Sequence, residues 1–115
     1  MEMSAEAFDE LVSDELDLLP EEMIAGLDNI IFVVEDYSED GSTDLLGLYD
    51  GLALTERDRY GMGDLPDRII VYRMAHLLAC ETEDELRDEV HTTLVHEIAH
   101  FYGIDDARLH ELGWA

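Results

Sequence analysis

The sequence predicts an α+β fold in which a small mixed or antiparallel sheet packs on helices. Apolar residues recur at helical spacing over residues 4–19 and again after residue 82. A continuous β-branched run, IIFVVED (residues 30–36), is typical of a strand. Helices therefore flank a few strands rather than alternate with them, which indicates an α+β class. The 115 residues suit one domain, which we expect to span residues 1–115.

The first elements are two helices and a strand. Residues 4–19 predict a helix with Ser4 as its N-cap, because a serine hydroxyl can accept from a backbone N–H of the first turn. Pro20 suits the start of a second short helix, with Met23 facing inward. The apolar run at residues 30–36 predicts a buried strand in the centre of the sheet.

The middle of the chain predicts the rest of the sheet. LLGLYDGLAL, residues 45–54, contains an Asp-Gly pair that favours a type I′ turn, so we expect a β-hairpin around Asp50 and Gly51. Residues 55–68 predict a loop and residues 69–72, IIVY, another strand. The acidic stretch from Glu35 to Asp44 lacks the spacing of an EF-hand calcium loop, which favours a solvated loop.

The last part of the chain predicts helices. A short helix is expected over residues 74–80. Thr82 and Glu85 have the spacing of a capping box, which predicts the start of a long helix. Gly103 stands where a left-handed residue ends such a helix. A final short helix is expected over residues 107–112.

Charge and composition exclude several classes of partner. The sequence contains six Lys and Arg residues and thirty Asp and Glu residues, so the net charge is −24. Because this charge repels phosphates and anionic lipid headgroups, we expect neither nucleic acid nor a membrane surface as a partner. The acidic N-terminus and the lack of long apolar runs favour a cytoplasmic protein of bacterial type. The single cysteine, Cys80, is expected to be a small buried hydrophobe.

Residues 96–106, HEIAHFYGIDD, carry the clearest chemical pattern. His96 and His100 are four residues apart on the predicted helix, so both imidazoles point the same way and could bind one zinc ion at about 2.0–2.1 Å. Glu97 lies about 100° further round the helix. There its carboxylate could take a proton from a zinc-bound water without filling a coordination position.

A third ligand is needed for a firm zinc site. Asp106 is the residue we assign, because Gly103 permits a sharp bend after the helix and a fourth position would stay open for water. Asp105 is assigned as the N-cap of the next helix, although either aspartate could take that position. His110 and Glu111 remain alternatives for the third ligand.

Other polar residues have weaker signals. His91 is five residues before His96 and is expected to face away from it, and both His91 and His76 are expected to be structural or surface residues. An oxyanion stabiliser should lie beside the zinc, but no spacing selects one. The residues of suitable chemistry are Tyr60, Tyr72, Arg73, Tyr102 and Arg108.

The pattern HEIAHFYGIDD resembles the HExxHxxGxxD form of the zincin metallopeptidases. The whole chain is similar to a family of small bacterial proteins known as minimal zincin-like predicted metallopeptidases. The similarity extends over LLGLYDG (residues 45–51), LPDRIIVYR (residues 65–73) and TLVHEIAHFYGIDD (residues 93–106).

The resemblance implies a zincin-like fold whose sheet packs on an active-site helix, with Zn²⁺ as cofactor. It implies that His96, His100 and Asp106 bind the metal and that Glu97 is the general base. No methionine follows Asp106, so the methionine turn of the metzincins has no counterpart here.

We therefore expect a zinc-dependent hydrolase, most simply a peptidase that acts on a short or extended polypeptide. A non-catalytic module is the alternative, in which the zincin scaffold binds a partner or a structural metal. The short C-terminal tail and the missing methionine turn motivate this alternative.

Overall fold

The computed structural model describes residues 1–51 and 66–114. Within them it confirms the α+β class, with helices before and after a three-stranded mixed sheet. The elements are α1 (Ala5–Asp17), α2 (Glu21–Ala25), β1 (Ile30–Glu35), β2 (Gly47–Asp50), β3 (Asp67–Tyr72), α3 (Arg73–Ala79), α4 (Glu83–Tyr102) and α5 (Asp106–Leu112). The second strand of the expected hairpin and most of the expected loop at residues 55–68 lie outside the described residues.

The sheet has the order β1-β3-β2, with β1 parallel and β2 antiparallel to β3. The prediction of a central β1 is therefore wrong for the described part of the sheet, where β1 is an edge strand and Ile31 is 44% exposed. The centre belongs to β3, where Ile69 and Val71 are fully buried. Both strands are apolar on their two faces, so hydropathy alone does not distinguish the edge from the centre.

The predicted turn at Asp50 and Gly51 is also wrong. A type I′ turn needs positive φ at both residues, and neither has it. Asp50 instead stands opposite Arg68 of β3, and the two side chains form a salt bridge of 2.7 Å. The described part of β2 is thus paired with a strand that is distant in sequence.

The predicted caps are confirmed. Ser4 Oγ accepts a hydrogen bond from Ala7 N at 3.1 Å and begins α1. Thr82 and Glu85 form the reciprocal capping box of α4, with distances of 3.2 and 3.0 Å. Gly103 ends α4 in the left-handed region at φ 73°.

The core lies between one face of the sheet and the helices, with α4 in contact with α1, α3, β2 and β3. His76 is fully buried here and is bonded to Tyr72 O at 2.8 Å and Thr93 Oγ1 at 2.9 Å. Burial lowers the pKa of His76, so this histidine is neutral and structural, as expected. Cys80 is buried and not in a disulfide, also as expected. Among the described residues, no helix is long and apolar enough to cross a membrane.

Candidate metal-binding site on helix α4

Helix α4 has a buried side that supports the fold and an exposed side that carries the candidate ligands. Leu94 and Ile98 are fully buried, whereas His96 and His100 are exposed. Apolar residues four apart along one line make the buried side, and the two histidines repeat the same spacing elsewhere on the surface of the helix. The helix is therefore fixed by its core contacts, and its histidines take no part in them.

Glu97 lies at the boundary between α4 and the sheet. It is 9% exposed, and its Oε1 lies 3.0 Å from His100 Nδ1. Strand β2 passes close by, since a Cβ added to Gly47 would lie 3.3 Å from Glu97 Cγ. Because Gly47 has no side chain, β2 can approach the candidate base closely.

His96 lines a cavity of 670 Å³ beside α4. His91 and His110 line the same cavity, although His91 is expected to face away from His96 on the helix. The cavity extends along the side of the helix, and imidazoles from separate turns reach it. Its apolar lining comes from α1, α2, α4 and the C-terminus: Leu18, Pro20, Met23, Val95 and Trp114. Sequence spacing did not find this cavity because its walls are distant along the chain.

The two adjacent aspartates both lie at the start of α5. Asp105 accepts a hydrogen bond from Arg108 N at 2.9 Å and caps α5, as assigned from the sequence. Asp106 is exposed in the first turn of α5. Within residues 1–51 and 66–114, no three His, Cys, Asp or Glu side chains are grouped so that they could hold a metal ion.

The donor chemistry of the helix nevertheless suits zinc. Exposed imidazoles four residues apart on a helix are a common zinc ligand pair. Nε2 of His100 has no hydrogen-bond partner in the described part of the chain, while Nδ1 is held by Glu97. A carboxylate that holds one ring nitrogen orients the other toward a metal. His96 and His100 therefore fit two ligand positions, and the set that includes Asp106 stays a prediction.

None of the described candidates for an oxyanion stabiliser is placed for that role. Tyr72 lies on the sheet face opposite α4, and Tyr60 is outside the described residues. The others are engaged elsewhere: Tyr102 donates to Met23 O at 2.6 Å, Arg73 pairs with Asp36 at 2.8 Å, and Arg108 pairs with Glu111 at 2.9 Å.

Comparison with known proteins agrees with the resemblance noted in the sequence. A family model described as zincin-like metallopeptidase matches residues 27–114, a range that includes all three strands, α4 and α5. A solved structure of a conserved hypothetical protein from Thermus thermophilus is 26% identical, with a TM-score of 0.58, over 96% of this chain and 97% of that one. Among curated proteins, none matches significantly. The chain belongs to the zincin-like metallopeptidase family.

Proposed function

We propose that this protein is a zinc-dependent metallopeptidase that hydrolyses peptide bonds in short or extended polypeptides. One observation carries the proposal. Inside the region matched by the family model, α4 presents His96 and His100 on its exposed side and holds Glu97 beside them, at 3.0 Å from His100 Nδ1. Two imidazole ligands and a neighbouring carboxylate are part of the arrangement that metal-assisted peptide hydrolysis uses.

His96, His100 and Asp106 would hold the zinc ion. When bound, zinc supplies a Lewis acid that polarises the scissile carbonyl and lowers the pKa of a water to about 7. Glu97 would accept the proton of the attacking water at its carboxylate and deliver it to the leaving amine. Its low exposure shields the carboxylate from bulk water, and His100 fixes its orientation.

The position of β2 favours an extended substrate. This strand is at the edge of the sheet in the described residues, and its Gly47 borders Glu97. A peptide that pairs with such an edge gains main-chain hydrogen bonds along its length. It would also run past the candidate base, which suits a short or unfolded polypeptide better than a folded domain.

The decisive experiment measures zinc content and cleavage of a peptide library by the same preparations. Glu97→Gln keeps the shape of the side chain but removes its basicity, so we expect zinc to be retained and cleavage to fall by about 10²–10⁴-fold. Asp88→Asn makes the same charge change at an exposed position of α4 and should leave both measurements unchanged. Equal cleavage by the wild type and the Glu97 variant would refute the proposed base.

The third ligand is tested by the two adjacent aspartates. Asp106→Asn should weaken zinc binding by more than about 100-fold, since even residues that only support a ligand change affinity by 10–100-fold. Asp105→Asn loses the same charge, and asparagine still caps a helix, so its zinc affinity should be nearly that of the wild type. Similar affinities for both variants would assign the third position to another residue, for which His110 and Glu111 are the first to test.

A non-catalytic metal-binding or protein-interaction module is the second candidate function. It is favoured by the observation that the described residues do not group three donors and that Glu97 is bonded to a candidate ligand. Stoichiometric zinc with no cleavage by the wild type or by Glu97→Gln would support this module. If no zinc binds at neutral pH with excess metal, zinc is excluded as part of either function.

A further inference from the structure

The sheet face opposite α4 forms the floor of a second, larger cleft. Side chains alternate along β3, so Ile69 and Val71 join the main core whereas Ile70 and Tyr72 point to the other face. Leu48 of β2 stands opposite Ile70 on this second face. Together with the loop at residues 36–46, these side chains line a cleft of 860 Å³.

Carboxylates dominate the rim of this cleft. The acidic residues that line it are Glu35, Glu39, Asp40, Asp44 and Asp50. Among the described residues of the lining, Arg68 is the one that is basic, and it is paired with Asp50 at 2.7 Å. Asp40 is held by Ser38 Oγ at 2.6 Å and Ser42 N at 2.9 Å, and these hydrogen bonds lower the pKa of its carboxyl. The loop thus carries an ordered negative charge that Arg68 does not neutralise.

Tyr72 provides an observation independent of the acidic rim. It is 2% exposed and lines the cleft, and no described residue makes a hydrogen bond to its phenolic hydroxyl. Burial raises the pKa of this phenol most, and the negative charges of Glu35 and Glu39 raise it further, so the hydroxyl stays neutral. Buried hydroxyls usually have a hydrogen-bond partner, so this phenolic oxygen is an acceptor available to a polar ligand in the cleft.

We propose that this cleft binds an arginine or lysine side chain of a polypeptide partner. A guanidinium or ammonium group only donates hydrogen bonds, and the carboxylates of Glu35 and Glu39 and the phenolic oxygen of Tyr72 all accept. Leu45 and Leu48, which are 41% and 38% exposed, offer an apolar surface to the aliphatic stem and to neighbouring residues. The complementarity is therefore both ionic and apolar, which favours a side chain over a bare metal ion.

The site is separate from the candidate catalytic residues. Gly47 and Glu97 are on the α4 side of the sheet, whereas the cleft is on the opposite side. Binding should therefore need no zinc, and failure of the proposed peptidase activity would leave this inference standing.

The test is fluorescence anisotropy of the full chain with a labelled peptide of alternating arginine and leucine, at about 150 mM salt to screen long-range attraction. Glu35→Gln/Glu39→Gln should weaken binding by about tenfold or more, because both acceptors lose their charge. Tyr72→Phe should weaken it by about fivefold, as expected for one hydrogen bond. The control, Glu21→Gln/Glu22→Gln, removes two exposed charges from α2 and should change affinity less than about twofold.

Three results would overturn the inference. If the α2 control weakens binding as much as the cleft variant, the attraction is only that of the net charge. If a peptide with neutral citrulline in place of arginine binds equally well, no cation is recognised. If Ca²⁺ binds the wild type but not the cleft variant while neither binds peptide, the cleft is a metal site. Urea unfolding of each variant verifies that it is folded before its affinity is compared.

Discussion

Gly47 offers the sharpest test of how the sheet is packed on the candidate site. A Cβ at this position would lie 2.5 Å from Thr93 Cγ2, 3.2 Å from Ile70 O and 3.3 Å from Glu97 Cγ. Gly47 does not have a positive φ, so alanine introduces no left-handed strain. The effect of Gly47→Ala should therefore come from packing between β2 and α4 alone.

The expected magnitude follows from these contacts. The contact of 2.5 Å must lengthen by about 1 Å to reach an ordinary carbon–carbon separation. Overpacking of this kind costs about 1–3 kcal/mol, and the lower entropy of the unfolded alanine chain offsets about 0.4–1 kcal/mol. We expect Gly47→Ala to lower the free energy of unfolding by about 1–2 kcal/mol.

Urea unfolding followed by Trp114 fluorescence is a suitable assay, because the Trp114 ring packs 5.9 Å from that of Tyr102. Thr93→Ser should then rescue Gly47→Ala. Serine removes the clashing Cγ2 and keeps the hydroxyl that bonds His76 Nε2 at 2.9 Å. A favourable coupling of about 1 kcal/mol is expected, short of full recovery because the contact with Ile70 O remains.

Gly41 supplies the matched control. It has φ 75° and nothing within 4 Å of an added Cβ, so Gly41→Ala is strained in its backbone but not in its packing. Thr93→Ser should not rescue it. An unchanged urea midpoint for Gly47→Ala, or equal effects of Thr93→Ser in both glycine backgrounds, would refute the proposed contact between β2 and α4.

Two further predictions concern α4 and the core. Thr82→Ala should lower the free energy of unfolding by about 1 kcal/mol through loss of the cap, with Thr82→Ser near the wild type in the same thermal melt; a neutral alanine variant would contradict the capping box. The pKa of His76 is lower in the folded state than its unfolded value of 6.5. Below pH 6.5 the unfolded chain therefore binds a proton at His76 that the folded chain does not bind. Stability should therefore fall as pH drops from about 7.5 to 5.5, and His76→Gln should reduce this slope; an unchanged slope would show that other groups cause it.

Local chemistry explains which parts of the fold could be predicted. The cap at Thr82, the cap at Asp105 and the end at Gly103 each depend on residues within one helical turn, and the structure confirms all three. A side chain that satisfies a backbone group three residues away needs no knowledge of the tertiary fold. These features are legible in a single sequence.

Strand pairing could not be predicted in the same way. The sequence of β1 resembles that of a central strand because both of its faces are apolar, yet β3 takes the centre although it begins with Asp67 and Arg68. Asp50 next to a glycine resembles a turn, yet its partner is Arg68. The choice of partner depends on which surfaces the helices cover, and that information is spread over the whole chain.

The same distinction between local and distant contacts applies to the candidate site. The exposure of His96 and His100 follows from helical spacing on α4. The approach of Gly47 to Glu97 and the shared cavity of His91 and His96 depend on packing between distant segments. Sequence spacing can therefore place candidate ligands on one helix but cannot show which distant segments pack around them.

Glu97 contributes both to the packing of the fold and to the candidate chemistry. His96 and His100 are exposed, so their replacement should leave the core intact, whereas Leu94 and Ile98 support the core without reaching the site. Glu97 does both, because its stem packs beside Gly47 while its carboxylate bonds His100. A β2 strand displaced by Gly47→Ala would therefore disturb the carboxylate through its stem, while the histidines keep their place on α4. Strand β2 thus positions the candidate base, and α4 positions the imidazoles of the two candidate ligands.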